Sequence, residues 1–225
     1  MQELSIIFGI AILILSVVVH EVSHGYAAYL MGDHTAKRAG RLTMNPLAHL
    51  DFTGSIIVPL LLVLLPGNFV FGWAKPVPYN PYNLKNQKWG PAIVAAAGPL
   101  SNFALAAFFG LLSILLPLAA SLKTGIAVGT ISTFSLTGGD FYISLYSFFT
   151  MIVWINIFLG IFNLVPIPPL DGSKVLFSVL PYRWRNIQFT LERYGLFALI
   201  FFIFFFASYL VPLALIMFRL FTGLF

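Results

Sequence analysis

Apolar residues fill four long stretches of the chain, with short polar loops between them. The first, Leu4–Met31, reaches about 42 Å as a helix, enough for a tilted crossing of a hydrocarbon core of ~30 Å. Trp89–Ala119 is a second full span, expected to kink or break near Gly98-Pro99. Gly139–Val165 is a third, with Asn156 and Asn163 as polar interruptions, and a Phe-rich run over about residues 195–218 is the fourth. Shorter elements lie between these. Gly54–Leu65 is apolar but only about 18 Å long as a helix, too short to cross. Phe69–Tyr79 mixes aromatic residues, Val, Gly and Pro, and reads as extended chain. Residues 120–139 are rich in Gly, Ser and Thr and read as a loop. The prolines of Pro166-Ile-Pro-Pro-Leu-Asp-Gly172 unwind the chain while it is still apolar.

This pattern describes an all-α integral membrane protein, a polytopic helical bundle of about four spans plus a re-entrant element with a small β-hairpin. Residues 52–73 form the re-entrant part, entering the bilayer and returning without crossing it. Residues 1–225 read as a single membrane-embedded domain. Composition agrees: 60% of residues are hydrophobic and 8% charged, with mean hydropathy +0.95. Soluble domains carry about 25% charged residues.

The formal charge of +5 does not indicate nucleic-acid binding, because the basic residues sit in short loops between the apolar runs. In this topology ten of the twelve lie on one face, with Lys123 and Arg219 on the other. That face is expected to be cytoplasmic, with both termini outside and the protein multi-pass in the cell membrane. The partners expected are the lipid bilayer and a membrane-anchored protein; oligomeric state stays open. Cys is absent, so any metal must take nitrogen or oxygen ligands. The N-terminus lacks a basic signal-peptide region, and the first apolar run is expected to remain in the mature protein.

Candidate chemistry concentrates at His20-Glu21-Val22-Ser23-His24. Residues four apart share one face of a helix, so His20 and His24 can hold one metal ion. Glu21, one step round, can reach a water bound to that ion, the arrangement of H-E-x-x-H zinc proteases. Sixteen residues without an ionisable side chain precede His20. Ionisable groups buried that deep cost several kcal/mol unless they serve each other or an ion. The bland alternative is a pair of structural histidines bonded to nearby backbone.

A catalytic zinc site has three protein ligands and one open position. Asp171 is the favoured third ligand, standing where a proline-rich stretch leaves a span that ends on the same side as the first. Its alternative role is to cap a short helix, Gly172–Leu180, and two carboxylate oxygens can serve both purposes. His34, His49, Asp33 and Asp51 are weaker candidates in the loop after the first span.

Three motifs together, His20–His24, Ala97-Gly-Pro-Leu-Ser-Asn102 and Phe162-Asn-Leu-Val-Pro-Ile-Pro-Pro-Leu-Asp-Gly172, resemble the site-2 protease family of intramembrane zinc metalloproteases over about residues 10–180. The resemblance implies one Zn2+ per chain held by His20, His24 and Asp171, with Glu21 as catalytic base. It implies that Asn163 and the Gly98–Asn102 segment, Gly98 and Asn102 included, place or contact substrate. It implies cleavage of membrane-anchored proteins in or next to a transmembrane helix. The PDZ and CBS modules of larger members have no counterpart in the sequence. Ser23, Ser101, Asn102 and Asn163 are expected to line a water path, and the N–H groups of Lys75, Val77 and Tyr79 to pair with an extended substrate or with the Arg41–Thr43 segment. Two other functions are open on the residues alone: a metal-transporting membrane protein, and a catalytically silent relative that binds membrane partners.

Overall fold

The computed structural model describes residues 2–58, 72–181 and 184–224. Its helices are α1 (Gln2–Leu30), α2 (Thr35–Arg38), α3 (Gly90–Leu115), α4 (Ala120–Thr133), α5 (Phe141–Asn163), α6 (Asp171–Val179), α7 (Arg185–Phe206) and α8 (Leu210–Thr222). Among the described residues four helical stretches are long and apolar enough to cross a membrane: Ser5–Leu30, Gly90–Leu115, Phe141–Asn163 and Asn186–Thr222. Large apolar side chains such as Ile7, Leu15, Phe197 and Phe204 are more than half exposed. In water that surface would be a liability, whereas facing lipid it costs nothing. The chain is a multi-pass membrane protein.

α3 is the central helix, packed against α1, α5, α6 and α8. Its small residues allow the close approach. A Cβ at Gly110 would sit 2.5 Å from the backbone oxygen of Phe221 at the end of α8, and helices in lipid associate through such packing. Ala106, Ile126, Ala127, Tyr146, Val153, Ile157, Ile161, Ala214 and Phe218 form a buried cluster shared by α3, α4, α5 and α8. Asp140 caps α5 by accepting a hydrogen bond from Ile143 N at 2.9 Å.

Several boundaries differ from the sequence reading. α3 continues unbroken through Pro99. The 120–139 segment is helical over its first part, because Ile126, Ala127 and Thr130 of α4 are buried against the bundle and Thr130 Oγ1 meets Ser147 Oγ of α5 at 2.9 Å. The last span divides at a 3-10 turn, Ala207–Tyr209. There α8 turns onto α3 and α5, while α7 stays mostly exposed.

The β-hairpin is not supported. Among the described residues there is no strand, and residues 72–80 form no regular secondary structure. The backbone donors that would build a ladder go elsewhere: Lys75 N to His49 O at 2.9 Å, and Val77 N to a side chain. Arg41 reaches this segment through its guanidinium, Nη2 to Lys75 O at 2.7 Å, and not through backbone pairing. Residues 59–71, the heart of the expected re-entrant element, lie outside the described residues. The flanking Gly54 and Trp73 are joined by a hydrogen bond from Trp73 N to Gly54 O at 3.1 Å, so the two ends of that stretch meet.

Candidate metal centre

α1 carries His20, Glu21 and His24, whose ligand atoms lie within 4.8 Å of one another. α6 brings the third group. The chain leaves α5, turns through Leu164–Leu170, and begins α6 at Asp171. Gly172 makes the turn possible: a Cβ there would overlap Leu164 O, so only glycine lets the start of α6 lie against the end of α5. Ser173 Oγ adds a hydrogen bond to Leu170 O at 2.6 Å. The N-cap position is Leu170, and Asp171 makes no capping bond. Its carboxylate turns inward, with Oδ2 at 3.0 Å from both His20 Nε2 and His24 Nε2. Lys174 Nζ is 3.3 Å from the other oxygen. His20, His24 and Asp171 are all buried.

The protonation of the two imidazoles follows from what their other nitrogens touch. His24 Nδ1 is 2.7 Å from Val94 O, a carbonyl that can only accept, so Nδ1 carries the proton. His20 Nδ1 is 2.6 Å from Asn102 Oδ1. The Asn102 amide is oriented by its opposite end, since Nδ2 faces Ser16 O at 3.3 Å and Asn156 Oδ1 at 2.9 Å. Asn156 Nδ2 in turn donates to Ser16 Oγ and Ile152 O, each at 2.9 Å. His20 Nδ1 is therefore also the protonated nitrogen. Each Nε2 faces the same carboxylate oxygen: a charged ring donates its N–H to it, and a neutral ring turns a lone pair towards it that a metal ion can take.

With both rings neutral, three acceptor atoms face one point and repel one another unless a cation lies among them. Two imidazole nitrogens and one carboxylate oxygen are the donor set of a catalytic zinc site, and a ring nitrogen held by a carbonyl is the usual support for such a ligand. A tetrahedral ion with bonds of about 2.05 Å spaces its donors about 3.3 Å apart, a few tenths of an ångström more than the 3.0 Å seen here. Gly98 keeps this point open: a Cβ there would stand 2.5 Å from His24 Nε2 and 2.6 Å from His20 Nε2. The residues fit a zinc ion.

The chain belongs to peptidase family M50. The family's profile matches residues 8–206, and M50 is the site-2 protease family. Three relatives share the printed name "Putative zinc metalloprotease": YwhC of Bacillus subtilis (strain 168), Rip2 of Mycolicibacterium smegmatis and MJ0611 of Methanocaldococcus jannaschii. YwhC is 38% identical over 89% of this chain and 79% of its own. Rip2 is 33% identical over 41% of this chain and 34% of its own, and MJ0611 34% identical over 46% and 42%. No solved structure matches the chain.

Within this M50 chain the other sequence candidates separate cleanly. Asp33 is fully buried and organises a loop, accepting from Thr35 N, Thr35 Oγ1, Asn80 N and Asn83 Nδ2. Burial pushes its carboxyl up, but these four hydrogen bonds outweigh burial and hold it below the usual carboxylate range. His49 is buried with Nε2 on Thr43 O, Asp51 caps Gly54 N, and His34 lies against the Tyr29 ring. Ser23 and Ser101 bond back to their own helices, at Val19 O and Gly98 O. Asn163 is half-buried, with Nδ2 on Leu159 O. Asn102 is fully buried, with its amide engaged by His20, Ser16 and Asn156. Sequence reasoning missed Val94 O, Ser16 and the use of Asn156. The one available signal was an amide in an otherwise apolar span, which must find a polar partner.

Proposed function

We propose that this chain is an intramembrane zinc metalloprotease, hydrolysing peptide bonds in or next to the transmembrane helices of membrane-anchored proteins. The observation that carries the reading is the convergence of His20 Nε2, His24 Nε2 and Asp171 Oδ2, with both Nδ1 atoms committed to carbonyl acceptors. Zinc bound there supplies a water of lowered pKa and a Lewis acid for the carbonyl oxygen. His20, His24 and Asp171 hold the ion, while Asn102 and Val94 O fix the imidazoles. Glu21 takes the proton of the attacking water and returns it to the leaving amine nitrogen. A transmembrane helix has its backbone hydrogen bonds satisfied, so the substrate must unwind locally before its carbonyl is open to attack.

The test is cleavage of a membrane-anchored test substrate by purified protein in liposomes. Wild type should cut, chelator should stop it with zinc restoring it, and Glu21→Gln should bind zinc and leave substrate intact. Zinc flux across the liposome without any cleavage would favour a transporter. Substrate binding without cleavage in wild type would favour a silent relative.

A further inference from the structure

The base has a neighbour that the metal site does not explain. Prolines have no N–H, so in Pro76-Val77-Pro78 the Val77 N–H is the one backbone donor. It lies 2.8 Å from Glu21 Oε2. The segment around it is pinned on both sides. Lys75 N donates to His49 O at 2.9 Å, Arg41 Nη2 to Lys75 O at 2.7 Å, and Asn80 N to Asp33 Oδ2 at 2.6 Å. The Val77 side chain is buried, while Pro76 and Pro78 are exposed. Val77 Cγ1 packs on Gly25, where a Cβ would come within 2.8 Å of it. Gly25 is four residues after Glu21, one turn along the same face of α1. The strap is thus seated on the face that presents the base, with one donor aimed at the carboxylate.

We propose that Val77 is a positioning residue, whose backbone N–H holds one oxygen of Glu21 and leaves the other to receive the proton of the attacking water. A glutamate carboxylate turns broadly about its last bond, and a fixed hydrogen bond from a pinned strap removes that freedom before substrate arrives. The flanking prolines make the arrangement specific, since a slip of one residue along the strap would present no donor at all. The Val77 N–H is also not available to pair with substrate. This inference rests on the proteolytic reading for its catalytic consequence but not for its geometry.

Two measurements on the full-length protein separate the two. In hydrogen exchange, Val77 supplies the one exchangeable backbone amide of residues 76–78. Glu21→Ala should speed its exchange by about tenfold or more, while the Lys75 amide on His49 O stays as slow as in wild type. Equal protection of Val77 in both proteins would overturn the proposal. That arm needs neither substrate nor metal, so it stands even if the protein cleaves nothing.

The second measurement replaces Val77 by its α-hydroxy acid through nonsense suppression, so that an ester oxygen takes the place of the N–H and the side chain is kept. Turnover should fall by about tenfold or more, with KM within about twofold and zinc content unchanged. Val77→Ala, which retains the N–H, should recover most of the turnover, and Val77→Pro should behave like the ester. Unchanged turnover in the ester would overturn the proposal, as would a rise in KM alone, which would make this N–H a substrate contact. Loss of zinc in step with turnover would also overturn it.

Discussion

Adding one methyl group at Gly98 should separate metal binding from folding. The Cβ of Gly98→Ala would lie 2.5 Å from His24 Cε1 and Nε2 and 2.6 Å from His20 Nε2. Ordinary contacts begin near 3.5 Å, so the rings must retreat by close to 1 Å. The atoms displaced are the ones proposed to bind the ion, and each ring is also held from behind by Asn102 or Val94 O. Retreat therefore breaks either the metal bonds or those supports. Loss of a support alone lowers metal affinity by about 10–100-fold; displacing both nitrogens should exceed the upper figure. Overpacking itself costs about 1–3 kcal/mol, which needs a control. Gly110→Ala supplies it, with a Cβ 2.5 Å from Phe221 O and far from the histidines. Zinc affinity measured by chelator competition, alongside thermal unfolding, should show both variants destabilised and Gly98→Ala alone unable to hold zinc. Normal zinc affinity in Gly98→Ala would refute the reasoning that Gly98 keeps the cavity open.

Asn102→Ala removes the acceptor of His20 Nδ1 and should weaken zinc binding by about 10–100-fold in the same competition assay. Asp33→Asn should cost about 1–3 kcal/mol near neutral pH, since four donors lose their carboxylate. Because the folded pKa of Asp33 is depressed, its contribution is present above the unfolded value near 4 and is lost as pH falls through the lower folded value. The stability gap between wild type and Asp33→Asn should therefore close on acidification below about pH 4; a gap that widens would contradict this sign. Single cysteines placed at positions 2 and 123 should label from outside intact cells with an impermeant thiol reagent, and those at 37, 86 and 184 should not. Outside labelling at 86 would show that residues 52–73 cross the membrane.

How far the chain could be read from its residues depended on whether a signal was local. His20 and His24 are legible because helical spacing alone places them together, and Asp171 because proline and glycine stop a span where an acidic residue follows. The spans are legible because lipid demands long apolar runs. α4 was not, since Gly125, Gly129 and several Ser and Thr residues argue against helix. It forms through burial of Ile126 and Ala127 on the bundle, a tertiary effect that propensity cannot show. Phe69–Tyr79 shows the reverse. Its residues favour a strand, but a strand also needs a ladder, and here the donors of Lys75 and Val77 are taken by His49 O and Glu21. Asn102 was legible as unusual but not as a partner of His20, because the residues lie 82 apart in the chain.

Zinc-edge X-ray absorption on the purified protein tests the central claim most directly. The expected result is one zinc per chain with two imidazole nitrogens and carboxylate and water oxygens at about 2.0–2.2 Å, and loss of zinc in Asp171→Ala. A spectrum without imidazole scattering, or an Asp171→Ala protein that keeps full zinc and an unchanged spectrum, would contradict it.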